Sequence, residues 1–308
     1  MRSIRVLLSL GAFVFAATQL WAIGPQHYYV SSDGAGVLCT FDSPCLHWQD
    51  AINIAATGDE ITALTGGDFG PIDLEGDLGL TIDGGGLDAG VLGYDSTSKA
   101  AVSVGVGKDV SVRLRGLHLN AGGNADAASV GIEFGNGVSL VIEDCKIENY
   151  GKRGISVESN VDGAKVFVTN TIIADQGFNG IVVVPPSPKT TYVFLDHVQI
   201  LNSAHAGVGV NPNSAVQIRD SVISNNGAWG LLAQGPPALV SMESTSLFNN
   251  PVAIQANGGA VVNLSDDNVW GNVTGLIVSS GTINSFGNNR ITGNVTDGAG
   301  VLAPKSLR

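Results

Sequence analysis

The sequence predicts an all-β solenoid, a single-stranded, right-handed parallel β-helix of about ten coils with a short capping helix at its N-terminal end. Three observations predict it. Segments opening on a glycine or alanine and an aliphatic run recur as GIEF at 131, GISV at 154, GIVV at 180, GVGV at 207, GLLA at 230, AIQA at 253 and GLIV at 275. Each is followed by a second alternating stretch (SLVIED, KVFVTN, YVFLD, VQIRD), a polar corner and one apolar residue. No helical period lies between the stretches, which excludes crossover helices. A unit of this length cannot bury an apolar face by itself, so the units must stack. Parallel crossovers set the hand of the coil to the right.

The elements follow in chain order. Residues 1–22 read as an export leader: Arg2 and Arg5, then VLLSLGAFVFAA, then a small-residue cleavage site ending at Ala22. Its apolar run is too short for a membrane span, and no second long one follows. Residues 23–58 form an N-terminal segment. Its CTFDSPC pairs Cys39 with Cys45, as two near cysteines in an exported chain do. Closing so small a loop stabilises by about 2 kcal/mol. In SPCLHWQDAINIAATG, Ser43 reads as N-cap and Pro44 as first helical residue. Leu46, Ala51, Ile52 and Ala55 form an apolar stripe, and Gly58 the stop.

The β-helix is expected over 59–298, with weaker coils from 60 to 126, and 299–308 as a flexible tail. Alternation points Ile132, Phe134, Ile155, Val157, Ile181, Val183, Val208 and Val210 inward, and likewise Leu140, Ile142, Val166, Val168, Val216, Ile218, Val240 and Met242. The apolar residue after each corner is Ile147, Ile173, Ile200, Ile223, Leu247, Trp270 and Ile291; Asn149, Asp175, Asn202, Asn225, Asn249 and Asn272 follow, suited to a left-handed corner. Cys145 reads as a buried small apolar residue. The 42 glycines and 44% hydrophobic content fit short strands and tight turns. The formal charge is −12, and becomes −14 once Arg2 and Arg5 leave with the leader. Such a balance argues against nucleic acid and anionic membranes, which need basic patches.

The stretches YYVSSDGAG, CTFDSPCLHWQDAINIAATGDEITALTGGDFGPIDL and LRGLHLN, the GI repeats and TINSFGNNRITGN resemble exported bacterial right-handed parallel β-helix repeat proteins of the pectin-lyase-like superfamily, over most of residues 28–298. The resemblance implies the fold. It also implies polysaccharide lyases, hydrolases and epimerases, alongside non-catalytic surface proteins.

Cleavage of polysaccharide on such a scaffold needs clustered outward carboxylates. The outward row of the GI sheet reads Glu133, Ser156, Val182, Gly209, Leu232, Gln255 and Ile277, a single acid followed by apolar residues. The second sheet's outward row reads Arg115, Glu143, Thr169, Leu195, Arg219, Glu243 and Ser265, a solvated row of ion pairs. A corner row Asp144, Asn170, Asp196, Asp220, Ser244 and Asp267 offers Asp196 and Asp220 as the candidates for Ca2+; no cofactor is otherwise expected. His197 and His205 read as turn histidines. The turns before the GI strands give Tyr150, Lys152, Arg153, Phe178, Asn179, His205 and Trp229, aromatic faces interleaved with donors, as sugar rings require. The reading is an exported protein, periplasmic or extracellular, that binds a polysaccharide or surface glycan along one edge without a complete catalytic set. A lyase, hydrolase or epimerase is the alternative, and a structural or adhesive surface protein the second.

Overall fold

The computed structural model describes residues 24–123, 126–298 and 302–304. The leader expected at 1–22 lies outside them. Three parallel sheets of twelve, nine and ten strands run the length of the molecule. One coil shows how the sequence builds them. Val130–Asn136 lies in the nine-stranded sheet and Ser139–Glu143 in the twelve-stranded one. Asp144 turns the corner with φ 54°, Lys146–Glu148 lies in the ten-stranded sheet, and Asn149 turns again with φ 67°. Asn and Asp tolerate this left-handed conformation because their short side chains bond locally.

The inner rows are in register. Ile132, Ile155, Ile181, Val208, Leu231, Ile254 and Leu276 pair strand to strand and are buried. Each buried aliphatic contributes roughly 1.5–3 kcal/mol. The glycine opening each GI segment has a steric reason. A Cβ on Gly154 would lie 2.5 Å from the Ile173 side chain and 2.8 Å from the Gly180 carbonyl.

Several positions sit one residue from where the sequence places them. The left-handed corner row is Asp144, Asn170, His197, Asp220, Ser244 and Asp266. Asp196 therefore faces outward on its strand, and Leu195 is buried opposite Val168 and Ile218. Asp267, not Asp266, points in. In the next row Val269 is inside and Trp270 is 44% exposed. The second corner row holds Asn149, Asp175, Asn202, Asn225 and Asn249 as expected, but Gly271 takes the place expected for Asn272. Asn272 is buried one step further on, in an inner ladder in which each amide bonds to the next: Asn226, Asn250, Asn272, Asn294.

The N-terminal end also differs. The twelve-stranded sheet starts at His27–Val30, upstream of the expected boundary at 59. The helix spans only Trp48–Ile52, with the His47 N–H bonded to Asp50 at 3.3 Å. Ser43 and Pro44 do not start it. Cys45, disulfide-bonded to Cys39, exchanges backbone hydrogen bonds with Tyr29 and Ser31, so that stretch is spent extending the sheet. The helix still covers the first strand of the nine-stranded sheet: the Gln49 Oε1 accepts from the Asp73 N–H at 3.1 Å, and Trp48 buries against Phe69. An open strand edge is thereby closed. At the other end Leu302–Pro304, expected in a loose tail, pairs with Thr282–Ser285. Among the described residues no helix is long and apolar enough to cross a membrane.

Candidate functional site

The turns leading into the nine-stranded sheet form a rim along the solenoid. Equal offsets place Phe178 and His205 one above the other, with ring centroids 4.2 Å apart and planes 10° from parallel. Trp229 is one residue closer to its glycine and meets His205 edge-on at 4.9 Å. Phe178 is 43% exposed, and His205 and Trp229 are half-buried. Asn179 fixes the stack from beneath: its Oδ1 lies 3.0 Å from His205 Nδ1 and accepts the Ala206 N–H. The Trp229 indole donates to Gln255 at 2.6 Å. Burial holds the His205 imidazole below its ordinary pKa. An open cleft of about 610 Å³, lined by Asp126, Gly151, Lys152, Gly177 and Phe178, runs beside the lower end of the rim.

Two expected members are elsewhere. Tyr150 is fully buried, with its hydroxyl donating to the Gly93 carbonyl at 3.2 Å. It occupies the position of the inner polar ladder, where Gln176 sits one coil on and accepts the Tyr150 N–H. Burial raises its pKa. Arg153 is not free for a ligand: its guanidinium donates to Glu158 and, at 2.7 Å, to Ser156. Lys152 remains exposed.

Glu133 is not alone on the outward face. Asp73, Ser103, Glu133 and Ser156 pair in one row. Glu158 accepts from Ser156 at 2.7 Å. Burial pushes the Glu133 carboxyl above its ordinary range, and the neighbouring Glu158 adds to the shift. Further toward the N-terminus, a groove of about 640 Å³ is lined by Gln49, Asp73, Glu75, Asp95, Thr97 and Ser103. Hydrogen bonds from the Ser98 and Thr97 backbone hold Asp95 below the usual carboxylate range. These acids were missed because the early coils lack the GI signature; the alternation IDLEG, which sets Asp73 and Glu75 opposite Ile72 and Leu74, was the available signal. Val182 and Leu232, from the same outward row, are covered within the chain itself.

The Ca2+ candidates have a different partner. Donor atoms of Asp196, His197 and Asp220 lie within 4.8 Å of one another. Arg219 donates to Asp196 at 3.0 Å and lies 3.4 Å from Asp220, so one cation already serves both carboxylates. Hydrogen bonding from Arg219 holds Asp196 below its ordinary pKa. The ion-paired reading of this sheet also holds at Arg113–Glu143, 2.6 Å, and Arg115–Asp83. Cys145 is buried, which pushes its thiol up to about 12 and leaves no thiolate to act as nucleophile at neutral pH.

A family model, the right handed beta helix region, matches residues 187–305. No curated protein matches the chain by sequence. Among solved structures, the alginate lyase from Paenibacillus sp. str. FPU-7 is similar at 16% identity and TM-score 0.63, over 87% of this chain and 97% of that one. XylC in complex with xylose is similar at 12% identity and TM-score 0.59, over 84% and 68%. The pectate lyase Pel9A is similar at 12% and 0.51, over 88% and 74%. Likeness at this level is likeness of fold: the chain is a right-handed parallel β-helix.

Proposed function

We propose that the protein binds a polysaccharide or surface glycan along the rim, from Lys152 through Phe178 and His205 to Trp229. The observation that carries this reading is the continuous, partly exposed aromatic run opening at one end onto a cleft lined by the exposed Lys152. Because Phe178 and His205 cover each other's faces, a sugar ring meets the outer face of Phe178, the ring edges and Trp229. Aromatic edges carry positive charge and faces negative, so edges beside Lys152 favour hydroxyl and carboxylate oxygens. The leader at 1–22 and the disulfide Cys39–Cys45 support export to the periplasm or beyond. The reading needs no metal, and chelation by EGTA is expected to leave binding unchanged. A glycan array tests it: Phe178→Ala and Trp229→Ala should each weaken binding about tenfold, since stacking on one ring is worth about 0.5–1.5 kcal/mol beyond area. Wild-type retention in both variants rejects the rim.

One observation favours a second reading, cleavage or epimerisation of a polysaccharide. Glu133, with its raised pKa, stands near Glu158, which Arg153 holds, and paired carboxylates in unlike environments are how acid and base roles are divided. Reducing ends or 235 nm absorbance released from uronate polymers by wild type, and lost in Glu133→Gln, would replace the binding reading with this one.

A further inference from the structure

We infer that the outer face of the twelve-stranded sheet carries a separate slot for a neutral disaccharide, between Tyr192 and Leu239 over Ala215. Two outward rows cross this part of the sheet in register. One reads Lys165, Tyr192, Ala215, Leu239 and Val261, the other Phe167, Phe194, Gln217, Ser241 and Asn263. Phe167 and Phe194 stack at 4.9 Å, 9° from parallel. Tyr192 is 39% and Leu239 45% exposed, on a strand face where polar residues would serve solubility better.

The gap has a simple cause. Neighbouring strands lie about 4.8 Å apart, so Tyr192 and Leu239 stand roughly 9.6 Å apart with one rung between them. That rung is alanine, whose methyl cannot cover the ring below it. A cleft of about 180 Å³ results, lined by Tyr192, Phe194, Ala215, Gln217, Leu239 and Ser241. A ring in van der Waals contact with both walls needs about 7–8 Å, so one ring fits. A second cleft of about 210 Å³ shares Phe194 and Gln217 with the first and ends on Asp196 and Arg219.

The lining selects the occupant. Two walls are apolar, and the third offers an amide, a hydroxyl and an ion pair in which Arg219 donates to Asp196 at 3.0 Å. A pyranose has this same division, an apolar face and a rim of hydroxyls. Charge complementarity points to a neutral sugar and away from a uronate, because Arg219 is already shared by Asp196 and Asp220 and the surplus charge there is negative. An aromatic peptide side chain would fill the walls and leave Gln217, Ser241 and the ion pair without partners.

The slot is independent of the rim, and the test separates them. Calorimetry with cellohexaose is run in the Trp229→Ala background, which weakens the rim about tenfold, with hexagalacturonate and a tryptophan-containing peptide as the other ligands. Cellohexaose is expected to bind, and hexagalacturonate to bind at least tenfold more weakly. Adding Ala215→Leu, which fills the gap from a half-buried, outward-facing strand position, should weaken cellohexaose at least tenfold, and adding Tyr192→Ala should do the same. If Tyr192→Ala fails to fold, Ala215→Leu decides alone. No cellohexaose binding at millimolar concentration, undiminished binding in Ala215→Leu, or the peptide binding in place of the sugar overturns the slot. Loss of glycan binding in Trp229→Ala with Ala215→Leu harmless would leave the rim standing and the slot rejected.

Discussion

The rim of the nine-stranded sheet and the outer face of the twelve-stranded sheet both pile aromatic rings along the solenoid axis, and they end differently. On the rim, Phe178, His205 and Trp229 fill three successive coils and cover one another. On the face, Phe167 and Phe194 stack, but the row beside them breaks at Ala215 and leaves Tyr192 outside any aromatic pair. The repeat that builds a solenoid places like above like, so a perfect row of aromatics hides its own faces. Recognition then depends on where a row is interrupted, by an offset at Trp229 or by a small residue at Ala215.

The strongest way to break this comparison is through the backbone. The rim sits beside the glycine column, where a Cβ on Gly207 would lie 2.7 Å from Ile223, 2.8 Å from Asn226 Nδ2 and 2.8 Å from the Gly230 carbonyl. Two of those neighbours are fixed by the ladder and the sheet. Gly207→Ala should therefore cost about 2–3 kcal/mol by overpacking, and should lift the His205 coil away from Phe178. Ala215→Leu projects into open space and should change stability by no more than about 0.5 kcal/mol. Urea unfolding of the two variants gives the contrast. Equal costs would show that the rim is no more tightly held than the face.

An intermediate effect comes from behind both arrays. Asp267 is buried in the corner ladder, where it accepts the Thr245 N–H at 2.9 Å and the Ser265 N–H at 3.1 Å. Burial pushes its pKa up to about 7, with Asp266 and Glu243 adding repulsion. Its folded pKa lies above its unfolded one, so the folded chain holds the proton more tightly. Stability is fullest below pH 4 and falls as pH rises toward 7. Asp267→Asn should then stabilise at pH 8 by about 1–2 kcal/mol, the ionisation penalty less the cost of one unpaired Ser265 N–H. At pH 5 the gain should be absent. Thermal melts at both values check the sign. Both arrays should bind as before, since neither touches Asp267; a binding change on one of them alone would mean that the ladder couples to it.

The same contrast marks what the sequence could show. Inner rows were legible because a period of two leaves each aliphatic one choice of side. The corners were not, because two polar residues stand side by side at Asp196–His197 and Asp266–Asp267, and either tolerates the left-handed turn. That one-residue ambiguity misplaced Asp196, Asp267 and Trp270 together. Tyr150 was misread for another reason. A large ring with a hydroxyl suggests exposure, yet its column is the inner ladder, and only the neighbouring Gln176 and Asn226 betray that. The rim run was visible because Phe178, His205 and Trp229 keep nearly constant distances from their glycines. The acids Asp73 and Glu75 lie in coils without that marker, and Glu158 lies in the turn just past its strand.

The smallest expected effect sharpens the comparison by pH. The rim has a titratable ring inside its stack and the Phe167–Phe194 pair has none. Burial holds His205 below the ordinary imidazole value of about 6.5, so the unfolded chain takes up this proton first. The stability His205 contributes is present above pH 6.5 and is lost as pH falls toward its folded pKa. Protonation places a cation 4.9 Å from the Trp229 ring, an attraction that opposes the cost of desolvating the imidazolium. Indole emission from Trp229, isolated by subtracting Trp229→Phe, should fall between pH 7 and pH 5 as the imidazolium forms. His205→Gln should flatten the curve while Gln keeps a hydrogen bond within reach of Asn179. Cellohexaose binding in the Trp229→Ala background should be unaffected by His205→Gln over the same range, because His205 does not line the slot. A flat wild-type curve, or a slope that survives in His205→Gln, would mean that the imidazole does not report on the rim, and the two arrays would then differ in shape alone.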